Sequence, residues 1–363
     1  MRASSVRAAF VCASIAITVG VSRLPAQDLA PRAYLITPLG SNAITLANAY
    51  NDGPLLLEGA VPIEDATARL NAPSLTYYRA FSLLGRSANV IAAAAYGVGT
   101  FEGTVLGEQE STYRSGLFDS LVRVSVNLVG GPAMSLGEMR TWQQKTVLGV
   151  SLKVVAPTGQ YDPTKLINLG ANRWAFKPEL GLSRRWGHWV LDAYGGVWFF
   201  TENPEFFSRN AYVPGVQAQT QDPAVVLETH LSYDFRPRLW VSLDGNFWRG
   251  GTTSLNGVEN PATLQQNSRV GITASFPVTR HQSLKLSYAR GAYIRFGGDY
   301  QVLSAAWQYS WISGTSKPST ARRCSTHATA WWPTCRGRRR WTRPLPPRCR
   351  RCSTTGSSTP SRR

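Results

Sequence analysis

The chain has 363 residues, of which 43% are hydrophobic, and a formal net charge of +18 at pH 7. Much of that charge lies in residues 315–363, which contain Lys317 and twelve arginines but no acidic residue. Outside this segment and the first 26 residues, 23 lysines and arginines accompany 21 acidic residues. A nearly neutral body excludes a strongly basic nucleic-acid-binding domain, so we expect no nucleic-acid partner. The sequence has no run of about 18 apolar residues, which excludes a helical membrane protein.

The first 26 residues have the layout of a secretory signal peptide. Arg2 and Arg7 precede an uncharged, mostly apolar stretch from Ala8 to Val19, and small residues follow up to Ala26. The apolar stretch is shorter than the roughly 20 residues that a transmembrane helix needs. We therefore predict export, with cleavage near Ala26. Residues 27–314 contain no cysteine and so offer neither disulfides nor thiolate metal ligands, and we expect no metal and no cofactor.

A two-residue alternation of apolar and polar side chains recurs along residues 27–314. Between Val122 and Leu128, for example, valines and leucines alternate with arginine, serine and asparagine. Successive side chains of a strand point to opposite faces, so each such segment has one apolar and one polar side. Each segment also supplies the roughly 9–11 residues that a tilted strand needs to cross a bilayer. The pattern predicts twelve strands, at 42–52, 70–83, 87–102, 117–130, 143–157, 173–184, 187–200, 223–235, 238–249, 267–277, 282–295 and 299–311.

The connections between the predicted strands alternate in length. We expect tight turns at 84–86, 185–186, 236–237 and 278–281, and long polar loops at 53–69, 103–116, 158–172, 201–222 and 250–266. The connection 131–142 departs from this pattern, because it is long on the side of the tight turns. Short periplasmic turns and long external loops are typical of outer-membrane barrels. We therefore predict an all-β fold, a closed antiparallel transmembrane β-barrel of about 12 strands, monomeric and surrounded by the lipid of a bacterial outer membrane.

Aromatic residues cluster where the predicted strands end. Two such groups are typical of the two interfacial girdles of a membrane barrel. The alternative is the core of a soluble β-sandwich, which the charges on the opposite strand faces disfavour. The group near the tight turns comprises Phe81, Trp186, Trp189, Phe235, Trp240, Phe276 and Trp311, and the group near the long loops comprises Trp174, Phe199, Phe200, Phe247 and Trp248.

The alternation ends at Trp311, on an aromatic strand of the kind that typically closes an outer-membrane barrel. Residues 315–363 consist mainly of arginine, serine, threonine, proline, cysteine and tryptophan without hydrophobic periodicity. This composition predicts a disordered, low-complexity tail or a stretch translated in a shifted reading frame. The spacing of Cys324 and His327, and of Cys349 and Cys352, resembles zinc ligation only superficially. The predicted organisation is a signal peptide at 1–26, a barrel at 27–314 and a basic tail at 315–363.

The densest cluster of distinctive residues lies between Pro157 and Gly181, where residues 157–162 are PTGQYD and residues 166–181 are LINLGANRWAFKPELG. Through this motif the chain resembles the meta-pathway phenol-degradation (MetA-type) family, which comprises transporter-like outer-membrane barrels of Gram-negative bacteria. The resemblance implies a barrel that passes small, aromatic or hydrophobic molecules. We expect the glycines and asparagines of the motif to form a tight external loop with positive φ. The motif-loop residues are Gly159, Gln160, Tyr161, Asp162, Asn168, Gly170 and Asn172.

The strand parity also predicts which charged residues face the lumen. If Trp174, Pro178 and Leu180 face lipid, the charged residues between them point inward, because an outward arginine or lysine at mid-bilayer costs about 2–4 kcal/mol. Such a charged inner face can filter solutes in an open barrel or brace a closed one. The same parity places eleven side chains inside: Arg123, Lys153, Arg173, Lys177, Glu179, Asp192, Glu228, His230, Asp234, Asp244 and Lys285.

The sequence therefore predicts a channel or transporter without catalytic residues, whose partner is a small organic solute. One alternative is a structural or partner-binding barrel with a blocked lumen. A second is a membrane-embedded hydrolase that uses Glu228, His230 and Asp234, which share one face of a predicted strand. No nucleophile accompanies these three residues in the sequence, so the hydrolase is the weakest of the three interpretations.

Overall fold

The computed structural model describes residues 31–56, 63–105, 107–207 and 218–313. The predicted signal peptide and the predicted tail lie outside these residues. The described chain forms twelve long strands with very little helix. They are β1 (Ser41–Leu56), β2 (Ile63–Leu83), β3 (Arg86–Val105), β4 (Glu108–Leu117 and Ser120–Val129), β5 (Thr146–Ala156), β6 (Ala175–Trp186), β7 (Trp189–Phe200), β8 (Ala224–Arg236), β9 (Leu239–Gly250), β10 (Gln265–Pro277), β11 (Gln282–Ile294) and β12 (Gln301–Ile312).

The twelve strands close into a single antiparallel barrel. Each strand pairs with its neighbours in chain order, and β1 pairs with both β2 and β12. The closing ladder runs from Ser41 opposite Ile312 to Asp52 opposite Gln301. Closure gives every strand two partners and removes the unpaired edges that cannot exist in hydrocarbon. The predicted closed, twelve-stranded antiparallel barrel is therefore confirmed.

The structure corrects the predicted loop at 103–116. There β3 and β4 continue as one hairpin, with pairs from Tyr96 and Leu117 to Val105 and Glu108. This part of β4 is polar on both faces, so it lacks the apolar alternation by which the other strands are recognised. Its ladder hydrogen bonds nevertheless keep it extended. β1 and β2 likewise extend into the predicted loop 53–69.

The two ends of the barrel differ in their connections. We call one end the short-turn end, because β2–β3, β6–β7, β8–β9 and β10–β11 are joined there by turns of two to four residues. Leu84 and Gly85 both have positive φ, 50° and 75°, as a two-residue hairpin of type I′ requires. We call the other end the long-loop end. There a small sheet of Gln219–Gln221, Thr253–Leu255 and Val258–Asn260 joins two loops.

The connection between β4 and β5 is the long exception at the short-turn end. It contains a one-turn helix, α1 (Leu136–Met139), whose first turn is fixed by a capping box of Ser135 and Glu138. Beside the helix, Met134 and Val147 pack against Ile36, which precedes β1. The connection is long because it covers the described residues that precede β1, among them Ile36. No helix in the described ranges is both long and apolar enough to cross a membrane.

The wall of the barrel has an apolar outer face and a polar inner face. Leu227 and Leu243 are 52% and 62% exposed on the outside, whereas Lys177 and His230, on the inner face, are at most 1% exposed. Three aromatic residues assigned to the girdles belong inside instead, and one of them, Phe200, packs against buried residues of the lumen. Trp248 is 5% exposed and packs in the lumen, and Trp240 lies beneath the guanidinium of the inward-facing Arg32.

A charge on the outer face tests the membrane-spanning assignment. Leu231 lies on the outer face near the middle of β8, and Val225 lies on the same face near its long-loop end. We expect Leu231→Arg to destabilise the barrel in lipid by about 2–4 kcal/mol and Val225→Arg by about 0–1 kcal/mol, because the cost falls towards the interface. Denaturant unfolding from liposomes measures both. Equal costs at the two positions would contradict the assignment.

Candidate functional site in the barrel lumen

The centre of the lumen is held by a network of buried ion pairs. The ammonium of Lys177 lies 2.6 Å from Glu179 Oε2 and 2.9 Å from Glu228 Oε1. A guanidinium nitrogen of Arg123 lies 3.3 Å from Glu179 Oε1. The register explains the network, because Arg123 is paired with Lys153 and Lys153 with Lys177 across adjacent strands. Three cations side by side repel one another, so two carboxylates are needed to hold them in the lumen.

A second buried group surrounds His230, which is 0% exposed. Its Nδ1 lies 2.8 Å from Asp244 Oδ1. Asp244 also accepts hydrogen bonds from Ser242 at 2.7 Å and from Thr273 at 2.6 Å. Asp192 lies directly across the β7–β8 ladder from His230. Asp244 thus fixes the imidazole within the wall, as carboxylates commonly do for histidine.

Residues 31–37 lie in the lumen, and residues 32–34 contact the buried groups described above. A guanidinium nitrogen of Arg32 is 2.7 Å from Asp234 Oδ1, and its backbone N–H donates to Asp192 Oδ2 at 3.1 Å. The hydroxyl of Tyr34 donates to Glu179 Oε1 at 3.0 Å. The backbone N–H of the residue between them, Ala33, donates to the hydroxyl of Tyr194. The segment therefore binds three of the acids that the sequence places in the lumen.

Tyr34 occupies a slot made by two glycines. Gly149 and Gly181 face each other across the β5–β6 ladder, and a Cβ at either position would overlap the Tyr34 ring. Tyr194 packs beside the ring with centroids 5.2 Å apart, and the Arg123 guanidinium lies 4.8 Å above it. Tyr34 is 0% exposed as a result. The glycines are required here for close approach of an aromatic ring, not for backbone freedom.

Beyond Tyr34, towards the short-turn end, the lumen opens into a cavity of about 1250 Å³, which we call the vestibule. Strands on several sides contribute to it, among them Thr45 of β1, Lys153 of β5 and Lys285 of β11. Trp142 of the β4–β5 connection and Trp240 of β9 add aromatic surface. The vestibule is large enough for a small organic molecule.

On the opposite side of the ion pairs, the lumen is filled by an apolar layer. Its buried members are Val155, Trp198, Ala224, Val226, Trp248 and Ile294, with Leu56, Leu121, Ala175 and Phe200 packed against them. These residues come from eight strands distributed around the barrel, so the layer crosses the lumen. Along the axis, the paired charges therefore have an apolar layer on their long-loop side and the vestibule on their short-turn side.

The motif loop forms an arch, and one residue binds the backbone at both of its ends. Asp119, at the interruption of β4, accepts the N–H of Gly159 at 2.9 Å and the N–H of Ala171 at 2.8 Å. Gly159 and Gly170 do not have the positive φ that the sequence predicts. They touch backbone to backbone, so a Cβ on either would lie 2.7 Å from a main-chain atom of the other. Only Asn172 adopts positive φ, at 53°.

Within the arch, the remaining motif residues satisfy one another's polar groups. Asn168 accepts the N–H of Asp162 at 2.9 Å and donates to the carbonyl of Lys165 at 2.8 Å. The hydroxyl and N–H of Thr164 donate to the Asp162 carboxylate and hold its pKa down to about 2. Tyr161 accepts from the Asn203 side chain at 3.0 Å. Gln160 donates its N–H to the Leu117 carbonyl. The motif thus builds a loop rather than a reactive site.

The structure places all eleven predicted lumen residues on the inner side, but at different levels. Arg123, Lys153, Lys177, Glu179 and Glu228 lie in or next to the central network, with Asp192, His230 and Asp244 beside it. Asp234 lies towards the short-turn end, between Arg32 and Arg185, and Lys285 lines the vestibule. Arg173 lies at the long-loop end, over the ring of Phe200.

Four important residues are absent from the sequence prediction: Arg32, Tyr34, Asp119 and Tyr194. Arg32 and Tyr34 belong to a short segment without strand periodicity, which therefore gives no signal of its own. Asp119 lies inside a predicted strand, and the low frequency of aspartate in strands is the signal that could have indicated an interruption there. Tyr194 has the inward parity of Asp192 but carries no charge, so a charge-based selection omits it.

The glycine slot gives a test of how the N-terminal segment is held. Gly181→Ala overpacks the slot, and we expect it to weaken binding of residues 31–36 by about 1–3 kcal/mol. Amide hydrogen exchange of that segment in the full chain should then be faster. Gly195→Ala is the matched control, because its Cβ would meet only Leu227 at an ordinary 3.5 Å. Unchanged exchange in Gly181→Ala would show that Tyr34 does not depend on the slot.

Comparison with known proteins agrees with the fold. Among solved structures, the COG4313 outer membrane channel from Pseudomonas putida F1 superposes with a TM-score of 0.64 at 17% identity, over 78% of this chain and 100% of that one. The translocator domain of autotransporter NalP from Neisseria meningitidis gives a TM-score of 0.44 at 9% identity, over 76% and 90% of the two chains. At 17% identity the likeness to the first structure concerns the fold alone, which is that of a bacterial outer-membrane barrel.

No curated protein matches the chain. A family model does match, over residues 57–311, and this range contains the motif loop, most of the barrel wall and all eleven predicted lumen residues. The match confirms the resemblance inferred from the motif. The chain belongs to the family described as "Putative MetA-pathway of phenol degradation".

Proposed function

We propose that this protein is an outer-membrane channel for small organic molecules with an apolar or aromatic body. The observation that carries the proposal is the apolar layer across the lumen, in which Trp198, Trp248 and Ile294 are buried. A hydrated ion or a sugar must lose water to cross such a layer, whereas an apolar molecule does not. The layer therefore favours solutes that the polar interior of an ordinary porin would not.

The comparisons support this proposal without naming a solute. The structure with a TM-score of 0.64 is described as an outer membrane channel, and the description of the matched family refers to phenol degradation. Phenol is a flat aromatic molecule with one polar group. Such a molecule suits a path in which aromatic side chains such as Phe200 and Trp248 precede a polar, hydrogen-bonding centre.

The rival proposal is a barrel whose lumen stays blocked and whose loops bind partners. It draws support from the N-terminal segment, because Arg32 and Tyr34 are bound inside the lumen by ion pairs and hydrogen bonds. The segment contacts the wall only through side chains and single backbone groups, without joining the sheet. A segment held in this way can be displaced without unfolding the barrel, which favours the channel.

The contacts within the lumen support a function without catalysis. The three side chains of the hydrolase alternative already have partners: Glu228 binds Lys177, His230 binds Asp244, and Asp234 binds Arg32. A fully buried imidazole between such partners has no room for a substrate. We also propose that one chain forms the functional unit, because closure of β1 on β12 completes the barrel without a second copy.

Uptake by cells tests the proposal directly. Cells that carry the full chain in their outer membrane should take up phenol faster than matched cells that lack it, with less effect on glycerol, a polar molecule of similar size. If neither solute enters faster, the blocked barrel is the better description. If the uptake of glycerol rises as much as the uptake of phenol, the apolar layer does not distinguish between the two solutes.

The apolar layer itself can be tested by making it polar. We expect Ile294→Asn to hydrate the layer, raise the ion conductance of the purified protein in planar bilayers several-fold, and reduce the preference for phenol over glycerol. Ala306→Asn is the matched control, since Ala306 is buried to a similar degree but lines the vestibule. If both variants change conductance equally, the constriction lies elsewhere.

A further inference from the structure

The vestibule carries a strong imbalance of charge. Eight cationic side chains line it, against three acidic ones, Glu179, Glu228 and Asp234. The rest of the folded chain is close to neutral, so this excess is local. The eight cations are Arg32, Arg123, Lys145, Lys153, Arg185, Arg236, Arg238 and Lys285.

The three acids are already occupied by cations of the wall and of the N-terminal segment. Glu179 contacts Lys177 and Arg123, and Glu228 contacts Lys177. Asp234 lies 2.7 Å from a guanidinium nitrogen of Arg32 and 2.7 Å from one of Arg185. Each carboxylate therefore has cationic partners of its own, and none of the three is paired with Lys145, Arg236 or Lys285.

Several cations of the vestibule have no acidic partner within the described chain. Lys145, Arg236 and Lys285 form no ion pair there, and all three are exposed to the solvent at the short-turn end. Arg238 donates to the carbonyls of Thr279, Arg280 and Gln282 at 2.7–2.9 Å. Carbonyls are neutral, so its positive charge is also left without a counter-charge.

Aromatic side chains lie on the same walls. Trp142 and Tyr78 line the vestibule on one side, and Trp240 lines it on the other with the Arg32 guanidinium 4.4 Å from its ring. A cavity with low-dielectric walls and charges of one sign focuses the field and concentrates ions of the opposite sign. Aromatic surface beside unpaired cations is suited to a molecule that has a flat apolar body and an anionic group.

We propose that the vestibule binds organic anions, specifically small aromatic carboxylates or sulfonates, and makes the barrel anion-selective. The anionic group lies between Lys285 and Arg236, and the ring lies against Trp240. The ladders place Trp240 between these two cations, because it pairs with Asp234 and with Ser275, and Ser275 pairs with Lys285. The proposal specifies the charge of the solute, and its statement about selectivity rests on the proposed channel function. The charge of the vestibule can nevertheless be tested without any flux, through the reactivity of a cysteine placed in its wall.

The first experiment uses Ser283→Cys in the full chain, because Ser283 lines the vestibule beside Lys285. The introduced cysteine is treated with a sulfonate-bearing and a trimethylammonium-bearing methanethiosulfonate, and modification of its peptide is followed by mass spectrometry. Rates are normalised to those of a free small thiol. We expect the anionic reagent to be favoured at least about threefold at low ionic strength, with the preference declining as salt is added.

Charge variants assign the preference to the vestibule. In the Ser283→Cys background, Lys285→Gln with Arg236→Gln should reduce the preference towards unity, and Lys285→Glu with Arg236→Glu should reverse it. Arg184→Gln is the matched control, because Arg184 neighbours Arg185 in β6 but has the outward parity of Leu182 and does not line the vestibule. It should leave the preference unchanged. Heat-dependent gel mobility confirms that each variant is folded.

The second experiment measures selectivity directly. Reversal potentials in planar bilayers are recorded in gradients of sodium benzenesulfonate and of phenyltrimethylammonium chloride, whose aromatic ions keep their charge across the working pH range. We expect benzenesulfonate to be more permeant than phenyltrimethylammonium, and the double glutamine variant to lose this difference.

The outcomes separate the two proposals. A channel that conducts but shows no preference at the introduced cysteine, or prefers the cationic reagent, overturns anion binding and leaves the proposed function intact. An anionic preference at that cysteine in a protein that shows no flux supports the vestibule as an anion site and overturns the channel. If the anionic preference survives in the double glutamine variant, other residues cause it, and the proposed site is contradicted.

Discussion

The structure depends on neutralising a row of cations that the barrel wall brings side by side. Lipid outside the wall forces Arg123, Lys153 and Lys177 inward, and the register of three adjacent strands sets them next to one another. Burying one uncompensated charge costs several kcal/mol, so Glu179 and Glu228 are as necessary as the strands. The same carboxylates then serve the lumen, since Glu179 also accepts the hydroxyl of Tyr34. A requirement of the wall thus determines how the interior is filled.

This requirement also orders the lumen along its axis. The paired charges lie at the middle, where the wall is surrounded by hydrocarbon on all sides. Apolar residues such as Val226 and Trp248 pack in the lumen above them, and the charge of Arg173 at that end is held by Gln221 and the ring of Phe200. Below them, the barrel mouth meets water and tolerates unpaired cations such as Lys285. Each level reflects how much solvation its side chains can obtain, and the selectivity that we propose for the lumen follows from that order.

The strands and their facing were predictable because the period of two is repeated in every membrane-spanning segment. The hairpin of β3 and β4 beyond Tyr96 and Leu117 was not, since it is polar on both faces. The slot for Tyr34 was hidden as well, because Gly149 and Gly181 become neighbours only when β5 pairs with β6. For the motif loop, we predicted a tight loop from the sequence and attributed its glycines to positive φ. In the structure these glycines are needed because they are small, so that two backbone segments can touch.

The position of the N-terminal segment has a consequence for assembly. Arg32 and Tyr34 are bound by residues of β4 to β8, yet they immediately precede β1, the strand that closes the barrel on β12. Residues 32–34 are therefore synthesised before the residues that bind them. They can form these contacts only after the middle strands of the wall have been made. Contacts so distant in sequence form late, because the intervening chain must first be ordered. We expect the barrel to insert its own first residues as a final step, so that closing the wall and filling the lumen are one event.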